Sequence, residues 1–153
     1  MPAPTMSHVI CTAAIIVLIF VMQFFYLYVV NNVQAEMAKR ELKEIADYVS
    51  DTLANLYFLV NSTSSDITLE KNLDLPLVIS DSVYIVKIQS DATGYAQSVY
   101  TYLKGKSVQY ATAWLLPGLM VDQVYHEVES SDREVVAGCG RQDMNVYVWI
   151  KET

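Results

Sequence analysis

At 153 residues the chain is sized for one domain, yet 53% of it is apolar and its mean hydropathy is +0.25, which excludes an ordinary water-soluble domain and places part of it in lipid. A formal net charge of −7 and a pI of about 4.6 exclude nucleic acid as a partner, because its phosphates would be repelled. The two cysteines, Cys11 and Cys139, fall in segments of opposite polarity, so no disulfide framework is expected, and Cys139 reads as a small buried residue.

Residues 1–8, "MPAPTMSH", form a short N-terminal segment without Lys or Arg, and no charged side chain of any kind precedes Glu36. Residues 9–30, "VICTAAIIVLIFVMQFFYLYVV", are therefore uncharged throughout. As a helix rising about 1.5 Å per residue they span about 33 Å, enough to cross a hydrocarbon core of about 30 Å. Phe24, Phe25, Tyr26 and Tyr28 collect at the C-terminal end, where aromatic rings favour the headgroup level. A cleavable secretory signal has a basic start, a shorter apolar core and a small-x-small exit; none is present, so the segment is expected to stay attached.

Signals for orientation conflict. Lys39, Arg40 and Lys43 would hold the C-terminal flank in the cytoplasm, although Glu36, Glu41 and Glu44 interleave with them and can pair along a helix. The acceptor triplet Asn61-Ser62-Thr63, a possible N-glycosylation site at Asn61, and a following domain of short Tyr-rich strands favour an exterior location. The expected arrangement is a single-pass protein of the cell membrane with its C-terminal domain outside.

Over residues 31–60 the apolar positions Ala38, Leu42, Ile45, Val49, Leu53, Leu56 and Val60 recur at spacings of 4, 3, 4, 4, 3 and 4, a helical stripe, with Glu41, Lys43, Glu44, Asp47 and Asp51 on the solvated side. No proline lies between Pro4 and Pro76, and the first glycine is Gly94, so nothing in the backbone breaks the helix at the membrane surface. One helix from about Thr5 to Val60 is expected; a helix jointed at "NNVQ" is the alternative. The polar cluster "NSTSSD", residues 61–66, marks its end as a hinge loop.

From residue 67 to 153 the period falls to two. Strands are expected in "ITLEKNLDLP", "SVYIVKIQS", "YAQSVYTYL", "SVQYATAWLL", "LMVDQVYHEVE", "EVVAGCG" and "MNVYVWIK", about seven in all, with turns at "KGK", "PG" and "SSDR". This reads as an antiparallel sheet or small β-sandwich. One of its faces needs a cover, and the stripe from Ala38 to Val60 supplies it, with Tyr84, Ile85, Val86 and Ile88 near the helix. The tyrosines read as half-buried strand residues or, alternatively, as an exposed adhesion surface.

Residues for catalysis are few. On a continuous strand Asp122 and His126 would share one face and Glu127 and Glu129 the other, so no ligand set converges and no metal or cofactor is expected. "AGCGR" lacks the following helix of a phosphate loop. The chain is expected not to be an enzyme.

The order of these segments resembles that of archaeal type IV pilin-like proteins and the archaellum accessory proteins related to them. The resemblance is carried by the apolar helix flowing into an amphipathic one, the Ser/Thr/Asn-rich hinge, and "ITLEKNLDLPLVISDSVYIVKI". There a strand ending near "LP" is followed, after a short turn, by a strand bearing Tyr84, Val86 and Ile88 in a Tyr-x-Val-x-Ile pattern. It implies a pilin-like α+β fold and a structural, non-enzymatic subunit. The apolar helix would pack on other copies in a surface filament or anchor an accessory protein in lipid, making the chain a homo-oligomer or a surface-complex subunit. Processed members carry a short basic leader cut beside Gly or Ala, which "MPAPTMSH" does not match; this favours an uncleaved, anchored accessory protein. A single-pass, membrane-tethered extracellular binding or sensor domain, or a subunit of a larger membrane complex, is the alternative.

Overall fold

The computed structural model describes residues 3–63, 65–131, 134–142 and 145–152. Ser64 of the expected hinge, Asp132 and Arg133 of the expected "SSDR" turn, and Met144 at the head of the last expected strand lie outside the described residues, as does the start of the N-terminal segment. Two compact units divide the chain, Met1–Glu36 and Met37–Thr153.

A single helical element, α1 (Ala3–Ser62), supplies the first unit and opens the second, with no interruption at "NNVQ". It begins before Thr5, within the segment read as a separate N-terminal piece. It also ends two residues past Val60, so Asn61 and Ser62 belong to the helix and not to the hinge. The hydroxyls of Ser62 and Thr63 explain the later end: both turn back on the Leu59 carbonyl, at 2.8 and 3.2 Å, and occupy a terminal acceptor that would lack an intrahelical donor.

The rest of the second unit is two four-stranded sheets. One has the order β1-β7-β8-β5, from β1 (Thr68–Leu73), β7 (Val135–Gln142), β8 (Asn145–Glu152) and β5 (Leu119–Val121). The other has the order β4-β3-β2-β6, from β4 (Lys106–Trp114), β3 (Ala96–Leu103), β2 (Tyr84–Ser90) and β6 (Glu127–Glu129). Pairing is antiparallel except that β5 runs parallel to β8. The fold is thus α+β, a long helix packed on two antiparallel-rich sheets.

Eight strands are present among the described residues because "LMVDQVYHEVE" is not one strand. The Asp122 carboxylate accepts the Val124 amide at 2.9 Å and turns the chain out of β5. Beyond it the Ile150 amide donates to the Tyr125 carbonyl at 2.8 Å and the Ile88 amide to the His126 carbonyl at 2.7 Å. Residues 119–129 therefore run between β8 and β2 and tie the two sheets together. The expectation that Asp122 and His126 share a strand face is corrected: neither lies in a strand.

Alternation along β2 sends Tyr84, Val86 and Ile88 into the core, where they pair across with Leu103, Thr101 and Val99 of β3. Ile85 was expected among them, but with a period of two it lies on the opposite face, half-buried. Against this inner face α1 buries its whole stripe, Ala38 at 1% exposure through Val60 at 0%. Ala46, Ser50 and Thr52, outside the stripe as read from apolar spacing, are buried too.

Polar groups at this junction are satisfied by the helix. Thr101, fully buried, donates its hydroxyl to the Leu42 carbonyl at 3.0 Å. Ser50 Oγ and Lys43 Nζ donate to the carbonyls of Trp114 and Thr112 at 2.7 and 2.8 Å, so α1 also occupies the outer edge of β4, which would otherwise present unpaired acceptors. Opposite, the Tyr84 hydroxyl donates to the Pro76 carbonyl at 2.6 Å, and Ser130 Oγ donates to Leu77 O while accepting from Tyr84 N. These bonds strap residues 76–77 to the start of β2; burial drives the Tyr84 phenol well above its ordinary range.

Candidate functional site

The apolar part of α1 is exposed along its length: Val9 at 69%, Phe24 at 72% and Tyr26 at 67%. This stretch is long and apolar enough to cross a membrane and lies near the N-terminus, properties shared by membrane anchors and secretory signals. The two parts of one helix thus differ in what they bury within the protein. Residues 9–29 keep their large apolar side chains exposed, whereas the positions from Ala38 to Val60 reach the core.

Among the described residues no three His, Cys, Asp or Glu side chains gather as a metal cage would need. Half-buried His126 has its Nδ1 buried without a partner among those residues. Glu127 and Glu129 extend to the outer face of β6, where they meet Lys87 and Lys104 at 2.8 and 2.7 Å; the Lys87 hydrogen bond holds the Glu127 carboxyl below its usual range. Tyr100 lies beside Tyr102 and Tyr110 on that face, with ring centroids 5.4 and 5.3 Å away, so these tyrosines form a half-wet outer ladder and not core.

Cys139 sits fully buried on the core face of β7, and burial pushes its thiol from the ordinary 9.0 to about 11. The folded state therefore favours the protonated thiol. Its contribution to stability is complete below pH 9 and lost as pH rises from there towards 11. Iodoacetamide at pH 8 should leave Cys139 unmodified in the native protein and alkylate it in urea, read by mass spectrometry of the peptide. Rapid alkylation without urea would place the thiol at the surface.

The glycines flanking Cys139 have a role that their spacing does not disclose. Gly138 pairs across with Trp149 of β8, and a Cβ built on Gly138 would lie 2.1 Å from the Trp149 indole. One on Gly140 would lie 3.1 Å from the far end of the same ring. The indole is therefore laid flat along bare β7 backbone, with Cys139 pointing the other way into the core. "AGCGR" lies within β7.

That indole helps floor a cleft of about 650 Å³ on the outer face of the first sheet. Tyr147 extends the floor, Thr68 and Asp66 border it beside β1, Gln142 closes the end of β7, and Asp122 and Gln123 rise from the far side. The turn at Thr93 and Gly94 completes the wall. It is stiffened by Asp91, whose carboxylate accepts from Thr93 Oγ1, Thr93 N and Tyr95 N at 2.7, 2.9 and 2.9 Å, bonds that hold its carboxyl below the usual range. Gly94, at a φ of 88°, makes the bend that L side chains resist.

Arg141 borders the cleft and is tied to the end of α1: Nη1 donates to Thr63 O and Nη2 to Asn61 Oδ1, both at 2.7 Å. Asn61 of the Asn61-Ser62-Thr63 triplet is thus an exposed residue of the last turn of α1, tied to β7 through its amide oxygen.

Comparison of the chain with protein-family models, with curated proteins and with solved structures finds no match.

Proposed function

We propose that this chain is a structural, non-enzymatic, pilin-like protein of a surface filament or of its membrane-anchored accessory apparatus, with the sheet domain outside the cell. The observation that carries the reading is the division of α1: its apolar first part is exposed while the later stripe is consumed by the protein's own core. Each large apolar side chain taken out of water contributes about 1.5–3 kcal/mol. A run from Val9 to Val30 therefore drives the segment into lipid or against the same segment of other copies.

The cleft beside Trp149 favours a second reading, a single-pass tether that presents an extracellular binding or sensor domain. Shearing of native cells, sedimentation and N-terminal sequencing separate the two. A filament subunit is expected in detergent-resistant sheared polymers; an anchored protein stays with the membrane fraction as a monomer or small complex, its N-terminus intact from Met1. Recovery as a free soluble protein lacking Val9–Val30 would overturn both.

A further inference from the structure

We infer that the cleft on the outer face of the first sheet is a glycan-binding site for uncharged sugars, with Trp149 as its stacking platform. This goes beyond the role of α1 and holds whether that helix anchors or polymerises.

One face of the indole lies on the bare backbone of Gly138 and Gly140, which leaves its other face as part of a flat apolar floor. A sugar ring is apolar on its C–H faces and carries hydroxyls around its rim. It matches a flat aromatic surface bordered by groups that can both donate and accept hydrogen bonds. Such a border is present. Gln123 and Gln142 each offer an amide donor and acceptor, Thr68 a hydroxyl, and Asp66 two carboxylate oxygens able to bridge neighbouring hydroxyls. None of these four side chains has a hydrogen-bond partner among the described residues, and all four are exposed, so their bonding capacity is open to a ligand.

Charge narrows the class. Among the described residues that line the cleft, Arg141 alone is basic, and it commits two of its guanidinium nitrogens to Thr63 and Asn61, while the two carboxylates of Asp66 and Asp122 outnumber it and leave the rim acidic. Phosphorylated, sulfated and carboxylated ligands would be repelled. At about 650 Å³ the cleft matches the size of a small-ligand site, room for about two sugar rings.

The test uses the full chain in phosphatidylcholine nanodiscs, since sugar-headed detergents would compete. Trp114, 81% exposed, is first replaced by Phe so that Trp149 is the one remaining tryptophan, excited at the red edge of the absorption band where tyrosine does not absorb. Disaccharides of glucose, galactose, mannose and N-acetylglucosamine are titrated. At least one should give a saturable change in emission with a dissociation constant in the millimolar range, as a shallow site with few hydrogen bonds gives. Gln123→Ala and Gln142→Ala should each weaken it by about three- to tenfold, with unchanged circular dichroism. Trp149→Phe, read by saturation-transfer NMR, should weaken it at least as much. The proposal is overturned if none of the four sugars gives a saturable response with folded protein, or if binding survives all three substitutions unchanged. It is equally overturned if a lysine-rich peptide saturates the emission change where the sugars do not, which would assign the acidic rim and the indole to a cationic protein segment.

Discussion

Ile45→Asp is expected to remove most of the stability of the Met37–Thr153 unit. Ile45 is 6% exposed at the centre of the buried stripe, between Leu42 and Val49, both fully buried. Losing its side-chain packing alone costs about 2–5 kcal/mol. A carboxylate buried there without a partner adds several more unless it takes up a proton, which itself costs free energy near neutral pH. Domains of this kind hold only about 5–15 kcal/mol in total. The measurement is a urea titration of the full chain in nanodiscs followed by near-ultraviolet circular dichroism, which reports on the packed tyrosines and tryptophans. Asp47→Asn, on the solvated side of the same helix, is the control. Its partner Lys43 lies 2.6 Å away, but both side chains are about half exposed, so the unfolding free energy should fall by no more than about 0.5 kcal/mol. An unshifted midpoint for Ile45→Asp would mean that the stripe is not the core.

The second large effect is expected at Gly138. An alanine methyl would overlap the Trp149 indole at 2.1 Å, against atoms of a rigid ring that cannot yield in place, so the indole must leave the β7 surface. Overpacking of this kind costs about 1–3 kcal/mol, and the lost burial of a large aromatic adds to it. Gly140→Ala, at 3.1 Å from the ring and 3.2 Å from Thr68 Oγ1, needs a shift of only a few tenths of an ångström and should be the milder of the two. If the clash is the cause, Trp149→Val should relieve much of the Gly138→Ala penalty. The two substitutions would then couple by more than about 0.5 kcal/mol in a double-mutant cycle. Additive effects would show that Gly138 is needed for some other reason. The same substitutions bear on sugar binding, since displacing the indole removes the floor of the cleft.

These two residues illustrate what is legible along a chain. The stripe containing Ile45 follows from periodicity alone: a helix brings residues three and four apart onto one face, and apolar side chains on one face are buried. The lack of Gly and Pro where the apolar segment gives way to the charged one likewise belongs to the backbone chemistry of neighbouring residues, and α1 runs unbroken there. Strand positions such as Tyr84, Val86 and Ile88 were legible for the same local reason, and Ile85 was misplaced only where strict alternation was not followed through. Ala46 and Ser50 were missed because neither is strongly apolar, although each continues the four-residue row from Leu42.

What depended on register between distant segments could not be read from spacing. Gly138 means nothing until Trp149 is paired opposite it, and 11 positions along the chain carry no signal of which strand neighbours meet. "LMVDQVYHEVE" looks like one strand because local composition cannot reveal that its two ends serve different sheets, a switch made by the Asp122 turn and by bonds to Ile88 and Ile150. The cleft is of the same kind: its border comes from β1, β5, β7, β8 and the turn after β2, and no window of sequence contains them together. By itself the sequence determined the helix, its two characters and the alternating sheet, because these are set by neighbours along the backbone. Tertiary structure alone decided which strands adjoin, which faces stay wet and where a ligand could rest, because those depend on pairing across tens of residues.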